Sequence, residues 1–195
     1  MSKWTIAKQI DFCYGHRVFS QVLNAEYSID NACKCRHIHG HQGTIHVHLT
    51  ADNLTEGMVT DFKHLNWFKK FVDDVLDHKF ILGREDPMFD MFIPPDASGA
   101  KPPIKWFPEG HGIVDPNYFK MISDSALIEI LEGYVVVEFV PTSENLSKWL
   151  FEIVDKKMSK IGVKTESIQF FETPKSQSHY FGDSTVTAEH SDVSN

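Results

Sequence analysis

Cysteine is scarce in this chain, with three in 195 residues. So small and odd a number excludes a disulfide framework and is typical of a reducing compartment. The chain also lacks any apolar run approaching the roughly 20 residues that span a bilayer. Its first residues contain no apolar segment of the kind found in signal peptides. We therefore expect a cytoplasmic protein that has no membrane partner.

Basic residues are in the minority: 19 Lys and Arg stand against 27 Asp and Glu, for a net charge of −8. Because phosphate binding needs a basic face, nucleic acid is not expected as the main partner. An apolar content of 42% and an aromatic content of 12% are typical of a folded globular protein. We expect one domain over residues 1–181 and a disordered polar tail over residues 182–195.

Histidine, by contrast, is concentrated, since five of the eleven histidines fall within the twelve residues 37–48. In an extended strand, side chains two residues apart share a face, so His39 and His41 point the same way. Gly40 between them lets the backbone approach a bound group closely. Two imidazoles on one face are two of the three ligands of an open three-His zinc site. The pattern predicts a metal site, and His16 is the candidate for its third ligand.

The neighbouring histidines are interpreted differently. His46 and His48 alternate with Ile45 and Val47, which is the pattern of an ordinary half-exposed strand. We therefore expect them on the polar face of that strand without a metal. His37 has the same parity as the metal-binding pair, and its role is left open.

Hydrophobic periodicity predicts both strands and helices, and hence an α+β protein. Strands are expected over residues 5–12, 39–50, 134–140 and 167–173. Amphipathic helices are expected from residue 62 to about 76, capped by Thr60 or Asp61, and from about 146 to 158, capped within residues 141–145. The segment between them, residues 83–133, holds seven of the nine prolines. A loop of this length in a compact domain is functional or mobile, and residues 119–131 could form a short helix in it.

The order of the motifs carries a family resemblance. Cys35-Arg-His-Ile-His39-Gly-His41, with His16 upstream after a first strand, resembles the 6-pyruvoyl-tetrahydropterin synthase superfamily. Its bacterial branch, the 6-carboxytetrahydropterin synthases of the queuosine pathway, has the C-x-x-x-H-G-H spacing that Cys35 and His39 show. Further motifs follow in the family's order: Met58-Val-Thr-Asp-Phe62, Leu76-Asp77-His78, Pro141-Thr-Ser-Glu-Asn145 and Phe171-Glu172-Thr173.

The resemblance implies a fold and an assembly. The fold would be a T-fold (tunnelling fold), an antiparallel β-sheet with two helices packed on one face, here with a long insertion between the helices at about residues 83–133. The assembly would be a homo-oligomer in which subunits join into a barrel, commonly as trimers stacked into hexamers. The active sites would then lie at subunit interfaces.

The resemblance also implies the reactive residues. Zinc would be held by His16, His39 and His41. Cys35 would be the proton-abstracting base, assisted by the pair Asp77 and His78. A thiol has an ordinary pKa of about 8.5 and becomes a base when a nearby cation lowers it, and a carboxylate beside an imidazole can orient it for proton relay. From the residues alone, the Asp77–His78 pair also fits the end of a helix, where histidine favours the macrodipole.

Substrate-binding residues follow from the same resemblance. Glu172 would anchor the pterin, because a carboxylate is the natural bidentate partner of an amino-pyrimidinone N–H pair. Thr142 and Ser143 would line the same pocket. An anionic substrate needs basic contacts, and Lys34 and Arg36 are candidates for them.

The cysteines leave the reaction open between two branches. Cys35 lies four residues before His39, the spacing of the carboxy enzymes, whereas Cys33 lies six before it, the spacing of the animal-type pyruvoyl enzymes. We favour Cys35 as the base. Cys13 is expected to be a small buried residue.

The expected function is a zinc-dependent lyase acting on 7,8-dihydroneopterin triphosphate. The favoured reaction yields 6-carboxytetrahydropterin, acetaldehyde and triphosphate, and the alternative eliminates triphosphate only, to give 6-pyruvoyl-tetrahydropterin. A third hypothesis, of another class, is a non-catalytic zinc-binding protein that has the T-fold.

Overall fold

The computed structural model describes residues 3–29 and 33–182, which form eight strands and five α-helices. The strands are β1 (Trp4–His16), β2 (His39–Ala51), β3 (Lys79–Gly83), β4 (Ile104–Trp106), β5 (His111–Val114), β6 (Tyr134–Val137), β7 (Lys164–Thr173) and β8 (Ser176–Phe181). The helices are α1 (Asn66–Val75), α2 (Phe89–Phe92), α3 (Pro116–Phe119), α4 (Ser125–Glu132) and α5 (Ser143–Met158). Short 3-10 turns span Lys34–Arg36, Phe62–Leu65 and Ser159–Ile161.

All eight strands belong to one sheet, in the order β4-β5-β6-β3-β1-β2-β7-β8. The long strands β1, β2, β7 and β8 pair antiparallel, as predicted for β1 and β2. β3 pairs parallel with both β1 and β6. The α+β class is confirmed, but the sheet is mixed rather than wholly antiparallel. Two parallel neighbouring strands must be joined by a long crossover connection. Helix α1 belongs to the connection that leads to β3, and the inserted segment connects β3 to β6.

Alternation along β1 and β2 gives the sheet two different faces. Ile10 and Phe12 are buried on one face of β1, and Ile45 and Val47 are buried on the same face of β2. The residues between them, such as Asp11, lie on the other face. Successive strand side chains point to opposite faces, so this pattern commits one face to the core.

Helices α1 and α5 pack on the apolar face and form the main core with it. Thr142 caps α5, as predicted, by accepting a hydrogen bond from the Asn145 main-chain N–H at 3.2 Å. The predicted apolar stripe of α5 is confirmed, since Leu146, Leu150 and Val154 are completely buried. Asp61, one of the two predicted caps, accepts from the Lys63 N–H at the start of the 3-10 turn before α1. The predicted packing of two helices on one face is therefore confirmed.

The inserted segment is more regular than the sequence analysis expected. It contributes β4, β5 and the short helices α2, α3 and α4, which pack around a second apolar cluster with Leu82 and Val136. The single helix predicted over 119–131 is instead two helices, with a break before Asp124, which caps α4. β3, β4, β5 and β8 were not predicted. Residues 183–195, most of the predicted tail, lie outside the described residues.

Within residues 3–29 and 33–182, no helix combines the length and the apolar character needed to cross a membrane.

The packing of α5 predicts the effect of truncating its central leucine. Leu150 is completely buried in the main core, so Leu150→Ala should lower the free energy of unfolding by about 2–5 kcal/mol. Lys148→Ala, an exposed position on the same helix, should change it by about 0.5 kcal/mol or less. Denaturant unfolding followed by circular dichroism measures both. Equal stabilities of the two variants would show that α5 does not anchor the core.

Candidate metal centre and active site

β1 and β2 bring three histidines together at one end of the sheet. In their antiparallel register, His16 lies opposite His39 and Tyr14 lies opposite His41. Ring centroids are separated by 4.5 Å for His16 and His39, 5.1 Å for His16 and His41, and 4.9 Å for His39 and His41. One ring nitrogen of each histidine lies within 4.8 Å of the others. The three side chains therefore form a compact group on the face that carries the core.

Main-chain carbonyls determine which nitrogens are available. His16 Nδ1 donates to the Pro141 carbonyl oxygen at 2.6 Å, and His39 Nδ1 donates to the His37 carbonyl oxygen at 2.9 Å. Because a carbonyl can only accept, these Nδ1 atoms carry the protons and the Nε2 lone pairs are free. Among the described residues, the buried Nε2 atoms of His16 and His41 have no hydrogen-bond partner. A metal ion requires ring nitrogens that converge on one point and have no other partner. A hydrogen bond from the other ring nitrogen to a carbonyl oxygen fixes the orientation of the ring.

The protonation states agree with this interpretation. Burial lowers the pKa of His16 to about 4, although its hydrogen bond to Pro141 acts in the opposite direction. Burial also lowers the pKa of His41, and the nearby His39 adds to the effect. Both imidazoles are therefore neutral at pH 7, which is the form that binds metals. The residues present fit a three-His metal site.

Glu172 lies next to this group. Its Oε1 atom is 3.5 Å from His16 Nε2. Burial raises the pKa of the Glu172 carboxyl, and His39 opposes this rise. A cavity of about 680 Å³ opens beside it, lined by Glu172, Thr173, His41 and neighbouring residues of β2 and β7. A volume of this size is ordinary for a small-molecule site.

Two half-buried thiols lie on the turn that precedes β2. The 3-10 turn Lys34–Arg36 is joined to the end of β1 by the Val18 N–H, which donates to the Cys35 carbonyl oxygen at 2.8 Å. Burial raises the pKa of the Cys35 thiol, and a hydrogen bond with the Cys33 thiol and the charge of Glu172 act in the same direction. The Cys35 thiol is therefore near enough to Glu172 and Cys33 for both to affect its pKa.

The two cations of this turn differ in their contacts. Lys34 and Arg36 are both exposed. The Arg36 guanidinium donates to the Gln21 carbonyl oxygen at 2.9 Å. Lys34 and Arg36 are the residues on either side of Cys35 in the chain, and a role in binding an anionic substrate stays a prediction.

Asp77 and His78 form a pair, but on the other face of the sheet. His78 Nδ1 is 2.9 Å from Asp77 Oδ2. Asp77 Oδ1 accepts from the Cys13 N–H at 2.8 Å, and the His78 N–H donates to the Cys13 carbonyl oxygen at 2.7 Å. The side-chain ligand atoms of Cys13, Asp77 and His78 lie within 4.8 Å of one another. Since Cys13 faces away from Tyr14 and His16, the structure does not bring this pair to the metal centre of its own chain.

The pair is held in an unusual and exposed conformation. His78 has φ +58°, in the left-handed region. Residues other than glycine adopt this conformation mainly where the surrounding structure imposes it. The side chain of His78 is 79% exposed. The expectation that Cys13 is buried is wrong: it is exposed, because its position on β1 has the parity of Asp11 and not of Phe12.

Thr142 and Ser143 lie at the start of α5, directly after the carbonyl that holds His16. Thr142 Oγ1 is used in capping the helix. The Ser143 carbonyl oxygen accepts from Ser178 Oγ at 2.7 Å, and Ser143 Oγ donates to Glu144 at 3.3 Å. Both residues therefore adjoin the metal centre through Pro141, and a role in binding substrate stays a prediction.

Tyr14 belongs to the site and was not anticipated. Its ring centroid is 5.2 Å from that of His16 and 5.6 Å from that of His41. Its hydroxyl is buried and has no hydrogen-bond partner among the described residues. Burial raises the pKa of Tyr14, and the charge of Glu172 raises it further. The sequence could have indicated this, because Tyr14 lies two residues before His16 on a predicted strand and therefore shares its face.

His46 and His48 lie on the opposite face from the metal centre, as the alternation of β2 predicted. Both are half-buried, and the ring of His48 is 5.6 Å from that of His179 on β8. The grouping of nitrogens at the end of the sheet does not include them.

Comparison with known proteins bears on the family and the fold of the chain. A family model described as 6-pyruvoyl tetrahydropterin synthase matches residues 5–183. A relative from Aquifex aeolicus, named 6-carboxy-5,6,7,8-tetrahydropterin synthase, is 29% identical over an alignment of 188 positions, which covers 91% of this chain and 98% of the relative.

Two solved structures share the fold. The crystal structure of an uncharacterized protein from Wolinella succinogenes has 46% identity and a TM-score of 0.88, and the match covers 94% of this chain and 100% of that one. The structure of 6-pyruvoyl tetrahydropterin synthase from Caenorhabditis elegans has a TM-score of 0.53 at 23% identity, and covers 93% and 97% of the two chains. The T-fold is thereby confirmed, and with a family model matching almost the whole length, the chain belongs to the 6-pyruvoyl tetrahydropterin synthase family.

Proposed function

We propose that this chain is a zinc-dependent 6-carboxy-5,6,7,8-tetrahydropterin synthase of queuosine (7-deazaguanine) biosynthesis. It would convert 7,8-dihydroneopterin triphosphate to 6-carboxytetrahydropterin, acetaldehyde and triphosphate. The observation that carries the proposal is the convergence of three imidazoles, beside a half-buried carboxyl and a thiol, at one end of the sheet. The printed name of the Aquifex relative supports the carboxy branch.

Glu172 is the residue that would bind the pterin. Two parallel N–H groups of an amino-pyrimidinone match the two oxygens of one carboxylate. Burial raises the pKa of this carboxyl in the absence of a partner. Hydrogen bonds donated to the ionised form lower the pKa again, so substrate binding and ionisation of Glu172 favour each other.

Cys35 is the residue that would remove the proton from the substrate side chain. His16, His39 and His41 would hold zinc, which supplies polarisation of the substrate hydroxyls and stabilisation of the charge left by proton loss. The pKa of the Cys35 thiol is raised by burial, so a thiolate at this position needs cations close to it. Lys34 and Arg36, on the same turn, would supply that charge.

Asp77 and His78 can assist only from a second copy of the chain. They lie on the face opposite the metal centre, where His78 lines a depression of about 500 Å³. The exposed imidazole of His78 is available to a neighbouring subunit. A site shared between copies therefore supports a homo-oligomer, trimeric or hexameric, with interface active sites.

One observation favours an alternative reaction. The Cys33 thiol interacts with the Cys35 thiol, so both sulfurs are candidates for the base. Cys33 has the spacing of the pyruvoyl enzymes, which eliminate triphosphate without cleaving a carbon–carbon bond.

The three free thiols also fit a cytoplasmic location.

The metal site predicts a loss of zinc on removal of one ligand. His39→Ala should reduce the zinc content from about one ion per chain to near zero, because two imidazoles hold zinc far more weakly than three. His46→Ala, on the other face of the same strand, should leave the zinc content unchanged. Both are measured by elemental analysis after gel filtration. Full zinc content in the His39→Ala protein would show that the ligand set is wrong.

The thiol assignment predicts a separation of metal binding from turnover. Cys35→Ala should lower turnover of 7,8-dihydroneopterin triphosphate at least about 100-fold, because a base is lost, with zinc content near that of the wild type. Cys33→Ala, the matched control, should remain active. Products are identified by mass spectrometry.

The outcomes distinguish the candidate functions. A 6-carboxy product with acetaldehyde supports the proposal, whereas a pyruvoyl product, lost in Cys33→Ala, supports the alternative. Zinc-loaded protein without turnover would indicate a non-catalytic metal-binding protein.

The shared site predicts complementation between two inactive variants. Cys35→Ala and His78→Ala homo-oligomers should each be inactive. After unfolding and refolding together in equal amounts, about a quarter of the sites should combine an intact thiol from one chain with an intact imidazole from the other. Recovery of about that fraction of wild-type turnover supports a shared site. No recovery, with mixed oligomers demonstrated by mass spectrometry, would contradict it.

A further inference from the structure

A second group of metal-binding side chains lies on the face of the sheet opposite the three histidines. Cys13 on β1, and Asp77 and His78 directly before β3, each offer one ligand atom, and these three atoms lie within 4.8 Å of one another. Among the described residues, only this group and the three histidines meet that condition. A thiol, an imidazole and a carboxylate are all ligands of zinc, and the thiol favours thiophilic metals.

Main-chain hydrogen bonds hold the group together. Asp77 Oδ1 accepts from the Cys13 N–H at 2.8 Å, and the His78 N–H donates to the Cys13 carbonyl oxygen at 2.7 Å. The hydrogen bond from Cys13 lowers the pKa of Asp77, and His78 adds to the effect. The carboxylate is therefore ionised at pH 7 and supplies negative charge for a cation. Because these contacts already fix Asp77 and the backbone of His78 relative to Cys13, little ordering is needed on binding.

An ion from solvent can reach the group. Cys13 is exposed, and the side chains of His78 and Asp77 are 79% and 31% exposed. Cys13 and His78 both line the depression of about 500 Å³. Lys79 also lines it, but its ammonium is hydrogen-bonded to the Glu132 main-chain carbonyl oxygen at 2.8 Å. Three protein ligands at an exposed position leave the fourth position of a tetrahedral ion for water.

We propose that Cys13, Asp77 and His78 form a second metal site, for a thiophilic divalent cation such as Zn²⁺. Binding replaces the proton of the Cys13 thiol: the S–H bond breaks, a metal–sulfur bond forms, and the proton passes to solvent. Because the ligands are exposed and the thiol must lose its proton, this site fills after the three-histidine centre.

Occupation of the second site removes the Asp77–His78 pair from proton transfer. The metal either takes a ring lone pair of His78 or replaces its hydrogen bond to Asp77, and in both cases the imidazole no longer relays a proton. This consequence rests on the proposed function, in which the pair assists a second copy of the chain, whereas the metal site itself does not. Excess zinc should therefore inhibit turnover through Cys13, a residue that has no part in the proposed reaction.

Cobalt binding tests the thiol ligand without any measurement of activity. Zinc-loaded full-length protein is titrated with Co²⁺, whose thiolate complexes give an intense charge-transfer band in the near ultraviolet. The chain has three cysteines, so Cys13 is the only thiol left in the double variant Cys33→Ala/Cys35→Ala. That variant should keep the band and bind about one Co²⁺ per chain, whereas Cys13→Ala should lose the band. Ions that exchange into the histidine centre of the double variant give no such band, because that centre then has no thiol near it.

Two further measurements test the ligand set. His78→Ala should weaken Co²⁺ binding at least about tenfold, whereas His64→Ala, at an exposed histidine before α1, should leave it unchanged. Isothermal titration in two buffers of different ionisation enthalpy should show release of about one proton per bound ion. No thiolate band in the double variant, or an unchanged band in Cys13→Ala, would overturn the metal site.

Inhibition by zinc tests the consequence for the reaction. With free Zn²⁺ set by a metal buffer, turnover of 7,8-dihydroneopterin triphosphate by the wild type should fall as the second site fills. Cys13→Ala should need at least about tenfold more free Zn²⁺ for the same loss. Equal inhibition of the two proteins would overturn the inhibitory role. Absence of turnover in every protein would contradict the proposed function, and the cobalt band would still decide whether the second site exists.

Discussion

The antiparallel ladder between β1 and β2 is the constraint on which the metal centre depends. It runs without interruption from Trp4 opposite Ala51 to His16 opposite His39. A slip of one residue in this register would turn His39 and His41 to the other face and turn Ile45 and Val47 out of the core. Burial of the apolar residues in the middle of the ladder therefore holds the histidines in place at its end. Stability and ligand geometry are set by the same pairing.

The two faces of the sheet divide the chemistry between them. The core-facing side carries the metal centre and Glu172, whereas Asp77 and His78 are hydrogen-bonded to the main chain of Cys13 on the other side. Asp77 is held ionised, because the hydrogen bond from Cys13 lowers its pKa and His78 adds to the effect. The backbone of His78 is in the left-handed region, and its side chain is 79% exposed. Under the proposed function, one chain presents an incomplete site and a complementary pair, so assembly and catalysis depend on each other.

The parts of the site that were predictable are those encoded locally. His39 and His41 share a face by their spacing alone, and the cap of α5 follows from Thr142 and the residues after it. The partner of His16 Nδ1 is the carbonyl oxygen of Pro141, which lies 125 residues away in sequence, so no pattern could indicate it. The strands β3, β4 and β5 are too short for a periodic signal, and β8 has few apolar residues. We predicted a buried Cys13 from its residue type, although its position two residues after Asp11 on the strand already indicated the exposed face.

The insertion is compatible with the site because of where it joins the sheet. Its strands add beyond β3, on the side of β1 opposite to β2, and its helices pack on a separate apolar cluster. The β1–β2 register is therefore untouched by it. The Wolinella structure matches 94% of this chain with a TM-score of 0.88, so the extended sheet is shared with that relative. The added layer has its own core, and Trp149 Nε1, which donates to the Glu109 carbonyl oxygen at 2.6 Å, secures that layer to α5.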